Sequence, residues 1–184
     1  MATDAFLVFT ADAKGSPLKG ETQDAQFKSM GAVEVSSYSL GVHNTITIGS
    51  AMGGAGAGKA QFTEFKIDKT VDVVSPTLFQ YLVSGQHFQQ IDLYLRKGGA
   101  ASATSHFLRY SFKLVVVADI AWSGGTGEDT VREQVTLAYG ALRIRYTPQG
   151  ANGKPGTAVE SAWSKVTNKT NFDVPGVPVI PGQG

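Results

Sequence analysis

Along most of the chain, apolar and polar residues alternate in short runs broken by Gly-rich joints, a period of two that predicts antiparallel strands. Residues 4–12, DAFLVFTAD, predict a first strand, and the turn-rich GSPLKGETQD (15–24) follows it. In GAVEVSSYSLGV (31–42) Val33 and Val35 share one parity, whereas Tyr38 and Leu40 hold the other. The phase therefore changes at Ser36 and Ser37, which predicts a bulge or a sharp bend. NTITIG (44–49) is a short strand leading into a Gly/Ala loop, and AQFTEFKI (60–67) resumes alternation.

One segment has helical spacing, SPTLFQYLVSG (75–85). Ser75 is the expected N-cap, Pro76 fits the first helical position, and Gly85 fits the left-handed residue after the last turn. Leu78, Phe79, Leu82 and Val83 form the expected stripe against a sheet. Beyond it, QQIDLYLRKGG (89–99) alternates cleanly, with Ile91, Leu93 and Leu95 on one face. SHFLRYSFKLVVVADIAW (105–122) predicts a longer strand in which Leu108, Tyr110, Phe112 and Leu114 share a face. VREQVTLAYGALRIRYTPQ (131–149) changes phase at Gly140, from Val135, Leu137 and Tyr139 to Leu142, Ile144 and Tyr146. A strand that bends between two sheets is expected there. VESAWSKVTN (159–168) is the last strand, and NFDVPGVPVIPGQG (171–184) is a tail without regular structure of its own. Long bulged strands and a single short helix predict a mainly β fold, a two-sheet antiparallel barrel that is closed or nearly so. The organisation expected is one barrel domain over residues 1–170 and a Pro/Gly-rich tail over 171–184, with no internal repeat.

Composition narrows the chemistry. The 184 residues carry 42% hydrophobic and only 17% charged residues, enough to bury a core. A formal net charge of +1, with the basic residues dispersed, argues against a nucleic-acid partner. There is no cysteine, so disulfides, thiolate metal sites and a thiol nucleophile are excluded. The first ten residues lack a basic region and a long apolar run, and no stretch reaches the length of a membrane span, so neither signal-peptide export nor membrane insertion is expected.

GGAGAGKA (53–60) satisfies G-x-x-x-x-G-K, the opening of a phosphate-binding loop. Its surroundings refute that function. Ala60 stands where the magnesium-binding hydroxyl is required, and the residues that follow alternate as a strand, so no helix N-terminus is available for the phosphates. His43, His87 and His106 lie in separate segments without metal-ligand spacing. Glu128 and Asp129 sit in a turn, no serine occupies a nucleophile elbow, and Asn168 in NKT is a chance glycosylation match. No catalytic, cofactor-binding or metal-binding residue is assigned, and no enzyme activity or cofactor is expected.

Five stretches, in order, resemble the Hcp (haemolysin-coregulated protein) family, the tube protein of the type VI secretion system. They are GAVEVSSYSLG, the Gly-rich loop ending GAGKA, FKIDKTVDVVSPTLFQYLVSGQHF, IDLYLRKGG and GGTGEDTVREQVTLAYGALRIRYTPQ; together they reach over roughly residues 4–167. The chain departs from the family pattern at VDVV (71–74), a small expansion before Ser-Pro, at Tyr38 and Leu40, where tryptophans are frequent, and in the tail after Thr170. The resemblance implies a homohexameric ring of barrels stacked into a hollow tube, enclosed by a contractile sheath and capped by a VgrG-type spike. It also implies effector proteins carried in the lumen, and synthesis in the bacterial cytoplasm followed by export through the apparatus itself. On that reading Ser37 and Ser39, alternating against Tyr38 and Leu40, line the lumen. Gly53, Gly54, Gly56, Gly58 and Lys59 belong to a loop that contacts a neighbouring subunit or ring. Two alternatives are a tail-tube protein of a phage-like contractile particle and an all-β binding protein or small enzyme.

Overall fold

The computed structural model describes residues 3–12, 14, 16–44, 46–47, 56–57, 59–97, 106–127, 129–150, 155–178 and 180. Twelve strands and one helix are defined within them. The first strands are β1 (Thr3–Ala11), β2 (Val33–Val35), β3 (Ser37–Ser39), β4 (Val42–His43), β5 (Ile46–Thr47), β6 (Gly56–Ala57) and β7 (Gln61–Phe62). They are followed by β8 (Phe65–Thr70), helix α1 (Ser75–Ser84), β9 (His87–Lys97), β10 (His106–Ser123), β11 (Arg132–Tyr146) and β12 (Val159–Ser164).

The main sheet runs β2-β1-β9-β10-β11-β8-β3, antiparallel throughout, and β12 adds to β11. Its two ends are consecutive pieces of one segment. β2 pairs with β1, the chain bends at Ser36, and β3 pairs with β8. The Ser36 amide donates to the Asp68 carbonyl at 2.8 Å, so the bend read from the phase change is the corner that joins the sheet's two ends.

Gly140 is the second corner. Before it, β11 pairs along one edge with β8 (Arg132–Leu137); after it, the same edge takes β12 (Ala141–Tyr146). A Cβ on Gly140 would lie 3.2 Å from the Leu114 Cβ and from the Val166 Cγ2, so only glycine fits between these neighbours without displacement. Opposite it, Leu114 itself adopts a positive φ of 51°. That turn of the backbone corrects the single-face reading of β10: Val115 and Val117, not Leu114, continue the core series after Phe112.

Inside the barrel, Phe65 stacks on Phe112 at 4.4 Å, and Phe9, Phe88 and Tyr81 form a second aromatic row. Each fully buried phenylalanine contributes about 1.5–3 kcal/mol of transfer free energy. A smaller cluster forms on the sheet's outer side, where the 19–31 segment folds over β1 and β9 and stacks Phe27 on Phe6 at 4.1 Å. Arg96 ties this segment down with two bonds to Asp24, at 2.6 and 3.1 Å, and one to Asp4 at 3.1 Å. The Arg96 guanidinium holds the Asp24 carboxyl below its usual range.

Helix α1 differs from expectation in two ways. Val74, in helical conformation and without a side-chain bond, precedes it, and Ser75 is a buried first-turn residue rather than the N-cap. The helix start is held instead by Asp72, whose carboxylate accepts the Val74 amide at 3.1 Å. The packed face is Ser75, Leu78 and Tyr81, with Leu82 beside them; Phe79 and Val83 point to solvent. Gly85 does take the left-handed position, with φ 67°.

Among the described residues after β12 there is no helix or strand, but this part of the chain is not detached from the barrel. Phe172 lies 4.9 Å from the Lys113 ammonium and 4.7 Å from the Arg143 guanidinium, and Val174 is buried.

Candidate functional site

The outer side of the main sheet divides in two. Over β1, β9 and the first half of β10 it is covered by the 19–31 segment and by Phe172, so Asp92, Ser111 and Lys113 are buried although they face away from the barrel core. Over β3, β8, the first half of β11 and the end of β10 it is open, Thr136 being the one buried residue of the rows described next. The register there places side chains in three rows across the strands. One is Ser39, Lys66, Thr136 and Asp119; the next is Ser37, Asp68, Gln134 and Ala121; the third is Thr70, Arg132 and Ser123. None of these eleven is an apolar residue larger than alanine, and the two cations are matched by two carboxylates. A concave cleft of about 720 Å³ borders this face, lined among others by Ser36, Ser37, Asp68, Trp122, Arg132 and Gln134.

Asp68 organises the middle row. Ser37 Oγ donates to its Oδ2, and Gln134 Nε2 donates to its Oδ1 at 2.9 Å. These two bonds, the serine's first, together with the nearby Arg132 charge, hold the Asp68 carboxyl below the usual carboxylate range. The Ser37 hydroxyl is thus committed to a neighbour, while Ser39 presents an exposed side chain with no such bond among those found. Both serines share the bare face, opposite in parity to Tyr38 and Leu40. Leu40 packs on the core; Tyr38 is 36% exposed, its ring 6.3 Å from that of Tyr110.

Sequence reading missed Asp68, Gln134, Lys66 and Arg132. The signal available was the strict alternation of β8, with Phe65 and Ile67 buried and Lys66, Asp68 and Thr70 between and beyond them. What no local pattern supplies is the partner strand that sets Gln134 beside Asp68, 66 residues away.

The described part of the Gly-rich segment, Gly56 and Ala57, belongs to a hairpin arm. Its root pairs β4 with β7, where His43 Nε2 lies 3.0 Å from Gln61 Oε1, and β5 pairs with β6 further out. Gly56 lies in β6 opposite Thr47, and Lys59 is exposed. Gly53, Gly54 and Gly58 lie outside the described residues.

A buried polar cluster joins β8, α1, β10 and β11. Lys69 Nζ contacts Glu133 Oε2 and Asp72 Oδ1, each at 2.7 Å, and Ser75 Oγ at 2.9 Å. Ser75 Oγ and Trp122 Nε1 donate to the two oxygens of Glu133 at 2.8 Å. A serine beside a lysine resembles a nucleophile and its base, but Lys69 is ion-paired with two carboxylates, and the buried Ser75 hydroxyl donates to Glu133 rather than to the lysine. The cluster is therefore structural. Among the described residues no group of three or more His, Asp or Glu side chains is placed to hold a metal ion, and no helix is long and apolar enough to cross a membrane.

Comparison with known proteins bears on this surface. A family model described as "Type VI secretion system effector, Hcp" matches residues 9–146, more than half of the chain. The curated protein hcp1 of Pseudomonas aeruginosa is 31% identical over 107 residues, which cover 58% of this chain and 65% of that protein, just under two thirds of its length. A solved structure of a type six secretion system protein superposes with a TM-score of 0.80 at 30% identity, covering 92% of this chain and 100% of that one. The crystal structure of Hcp1 from Salmonella typhimurium superposes with a TM-score of 0.68 at 26% identity over the same shares of the two chains.

Proposed function

This chain belongs to the Hcp family of type VI secretion system proteins, and from that premise we propose that it is a structural tube subunit rather than an enzyme. Six copies close into a ring, the rings stack into a hollow tube, and the bare polar face lines the lumen. The tube runs inside a contractile sheath, carries a VgrG-type spike at its tip and holds effector proteins in its channel. The subunit is made in the bacterial cytoplasm and leaves the cell through the apparatus it helps to build.

The observation that carries this reading is the bare face itself. An antiparallel sheet leaves one side free when nothing packs on it, and here ten of the eleven side chains in the three rows are exposed or half-exposed, Thr136 being the buried one, while Asp92, Ser111 and Lys113 on the same side are buried. Such a lining holds a passenger through hydrogen bonds and screened charges, which release it readily. The hairpin arm, with Gly56 and Lys59, is suited to reach a neighbouring subunit, because glycine permits close backbone approach.

The chain has no cysteine, so Ser39→Cys introduces one unambiguous thiol. Light scattering should give a particle of six times 19.4 kDa, about 116 kDa, with a central hole by negative stain. In stacked tubes the new thiol should react with a small maleimide but be shielded from a protein-sized one. Equal reaction with both reagents in intact tubes would place this face on the outside and overturn the assignment.

A further inference from the structure

Among the described residues, ten of the twelve exposed large apolar side chains gather at two places. The first surrounds the solvent side of α1. Val71, Val73, Phe79, Val83, Trp122 and Val131 are each between 43% and 65% exposed. Two pairs among them are in contact: the Val71 amide bonds to the Val131 carbonyl at 2.9 Å, and the Phe79 and Trp122 rings lie 6.0 Å apart. Trp122 is held in this pose from beneath, since its Nε1 donates to the buried Glu133. The two aromatic side chains carry roughly 150–250 Å² each, and with the four smaller valines, at about half exposure, the six expose on the order of 500 Å². That matches the ~300–600 Å² of the largest patch on a typical monomer, which is commonly functional. It is more than half of the ~800 Å² that one partner gives to a stable interface.

The second place lies along the far half of β11. A groove of about 240 Å³ is lined by Val42, Phe62, Leu142, Ile144 and Trp163, among others. Tyr146 and Val159, paired across β11 and β12, extend its apolar border. The groove has room for one aromatic side chain. Trp122 pairs with Glu133 and the groove is lined by Ile144, so the two places are separated by eleven residues of one strand, on either side of the corner at Gly140. They differ in shape as well: one is a ridge of protruding side chains on a helix, the other a recess between strands.

We propose that the α1 ridge of one copy docks into the β11–β12 groove of the next copy, a head-to-tail contact in which Phe79 and Val83 are the inserted side chains. The occupant is a second copy because one chain carries both halves of a complementary pair, fixed on opposite sides of the Gly140 corner of the same rigid strand. Two different surfaces in contact make a heterologous interface, which propagates in one direction and closes into a ring when the rotation allows. A helix-to-helix contact would pair the same surface with itself and stop at two copies. This inference rests on the assembly reading above and names the surfaces that would carry it.

The test uses two variants of the full chain. Phe79→Ser/Val83→Asp removes the ridge, and Val42→Asp/Val159→Asp charges the border of the groove; all four side chains are at least 47% exposed, so thermal unfolding should confirm intact folds. Each variant alone should sediment as a 19.4 kDa monomer. Their equimolar mixture should give a species near 39 kDa, twice the monomer, because one intact ridge and one intact groove remain. Variants that both assemble like the unaltered chain would overturn the docking surfaces and leave the ring reading standing. A groove variant that dimerises alone would show ridge-to-ridge contact and overturn the head-to-tail arrangement. An unaltered chain that stays monomeric at every concentration, with no rings by microscopy, would overturn both readings.

Discussion

Removing the Lys69 ammonium should destabilise the barrel far more than neutralising its fully buried partner Glu133, although both changes break the same 2.7 Å ion pair. The asymmetry follows from counting charges. Lys69 serves two carboxylates, Glu133 with no exposed side-chain surface and Asp72 with 10%. In Glu133→Gln the remaining Lys69 and Asp72 still compensate each other, and although only one of the donors Ser75 and Trp122 can reach the amide oxygen, no buried charge is left unpaired. The loss is then that of one charge-assisted bond, about 1.5–3 kcal/mol. In Lys69→Met both carboxylates lose their counter-ion, and Glu133 stays buried with two neutral donors only. Breaking a buried pair in this way costs about 3–5 kcal/mol. For a chain of this length each kcal/mol shifts Tm by roughly 2–4 °C, so Lys69→Met should lose on the order of 10 °C and Glu133→Gln about half of that. Combining the two should recover part of the Lys69→Met loss, because the buried charge left behind is then removed. Thermal unfolding followed by tryptophan fluorescence, at one fixed protein concentration because assembly adds its own stability, decides the matter. Equal losses for the two single variants, or a combined variant no better than Lys69→Met, would refute the charge argument.

Three further outcomes follow from the geometry. Gly140→Ala should cost about 1–3 kcal/mol, since the added methyl meets Leu114 and Val166 at 3.2 Å in a corner that cannot open freely; urea denaturation measures it. Ser37→Ala removes the bond that most depresses Asp68 and should raise that group's pKa toward the ordinary aspartate value, read by carbon-detected NMR titration. Because the folded pKa is depressed, the stability Asp68 contributes is present above its unfolded value and is lost as pH falls through the folded one, so the variant should lose less stability than the parent across that acidic window. Phe172→Ala should loosen the chain after β12, because the ring that bridges Lys113 and Arg143 is gone; faster limited proteolysis between Asn171 and Val174 is expected, with the barrel intact.

Much of the fold was legible in the sequence because strand alternation and backbone breaks are local properties. The bend at Ser36 and the phase change at Gly140 were both visible, and they proved to be the two corners that shape the sheet. The left-handed Gly85 was legible for the same reason. Helix α1 was less so. Its four apolar residues at 78, 79, 82 and 83 fit more than one orientation, and Ser75 looked like a cap. Packing chose Ser75, Leu78 and Tyr81, because Ser75 and Lys69 satisfy each other and Glu133 only when that face turns inward.

Alternation assigns side chains to two faces of a strand, but not what covers either face. β9 reads as half buried, with Asp92 and Tyr94 opposite Ile91, Leu93 and Leu95, yet both of its faces are enclosed because the 19–31 segment folds over one of them. Along β8 the same alternation leads to an open face, because nothing packs there. The sequence by itself thus determined the strands, their corners and the parity that set Ser37 and Ser39 apart from Tyr38 and Leu40. Only the tertiary structure decided that these serines share a bare surface with Asp68, Gln134 and Arg132. Strand pairing over tens of residues joined those side chains, and the covering segments, placed by their own buried aromatics, left that part of the sheet uncovered.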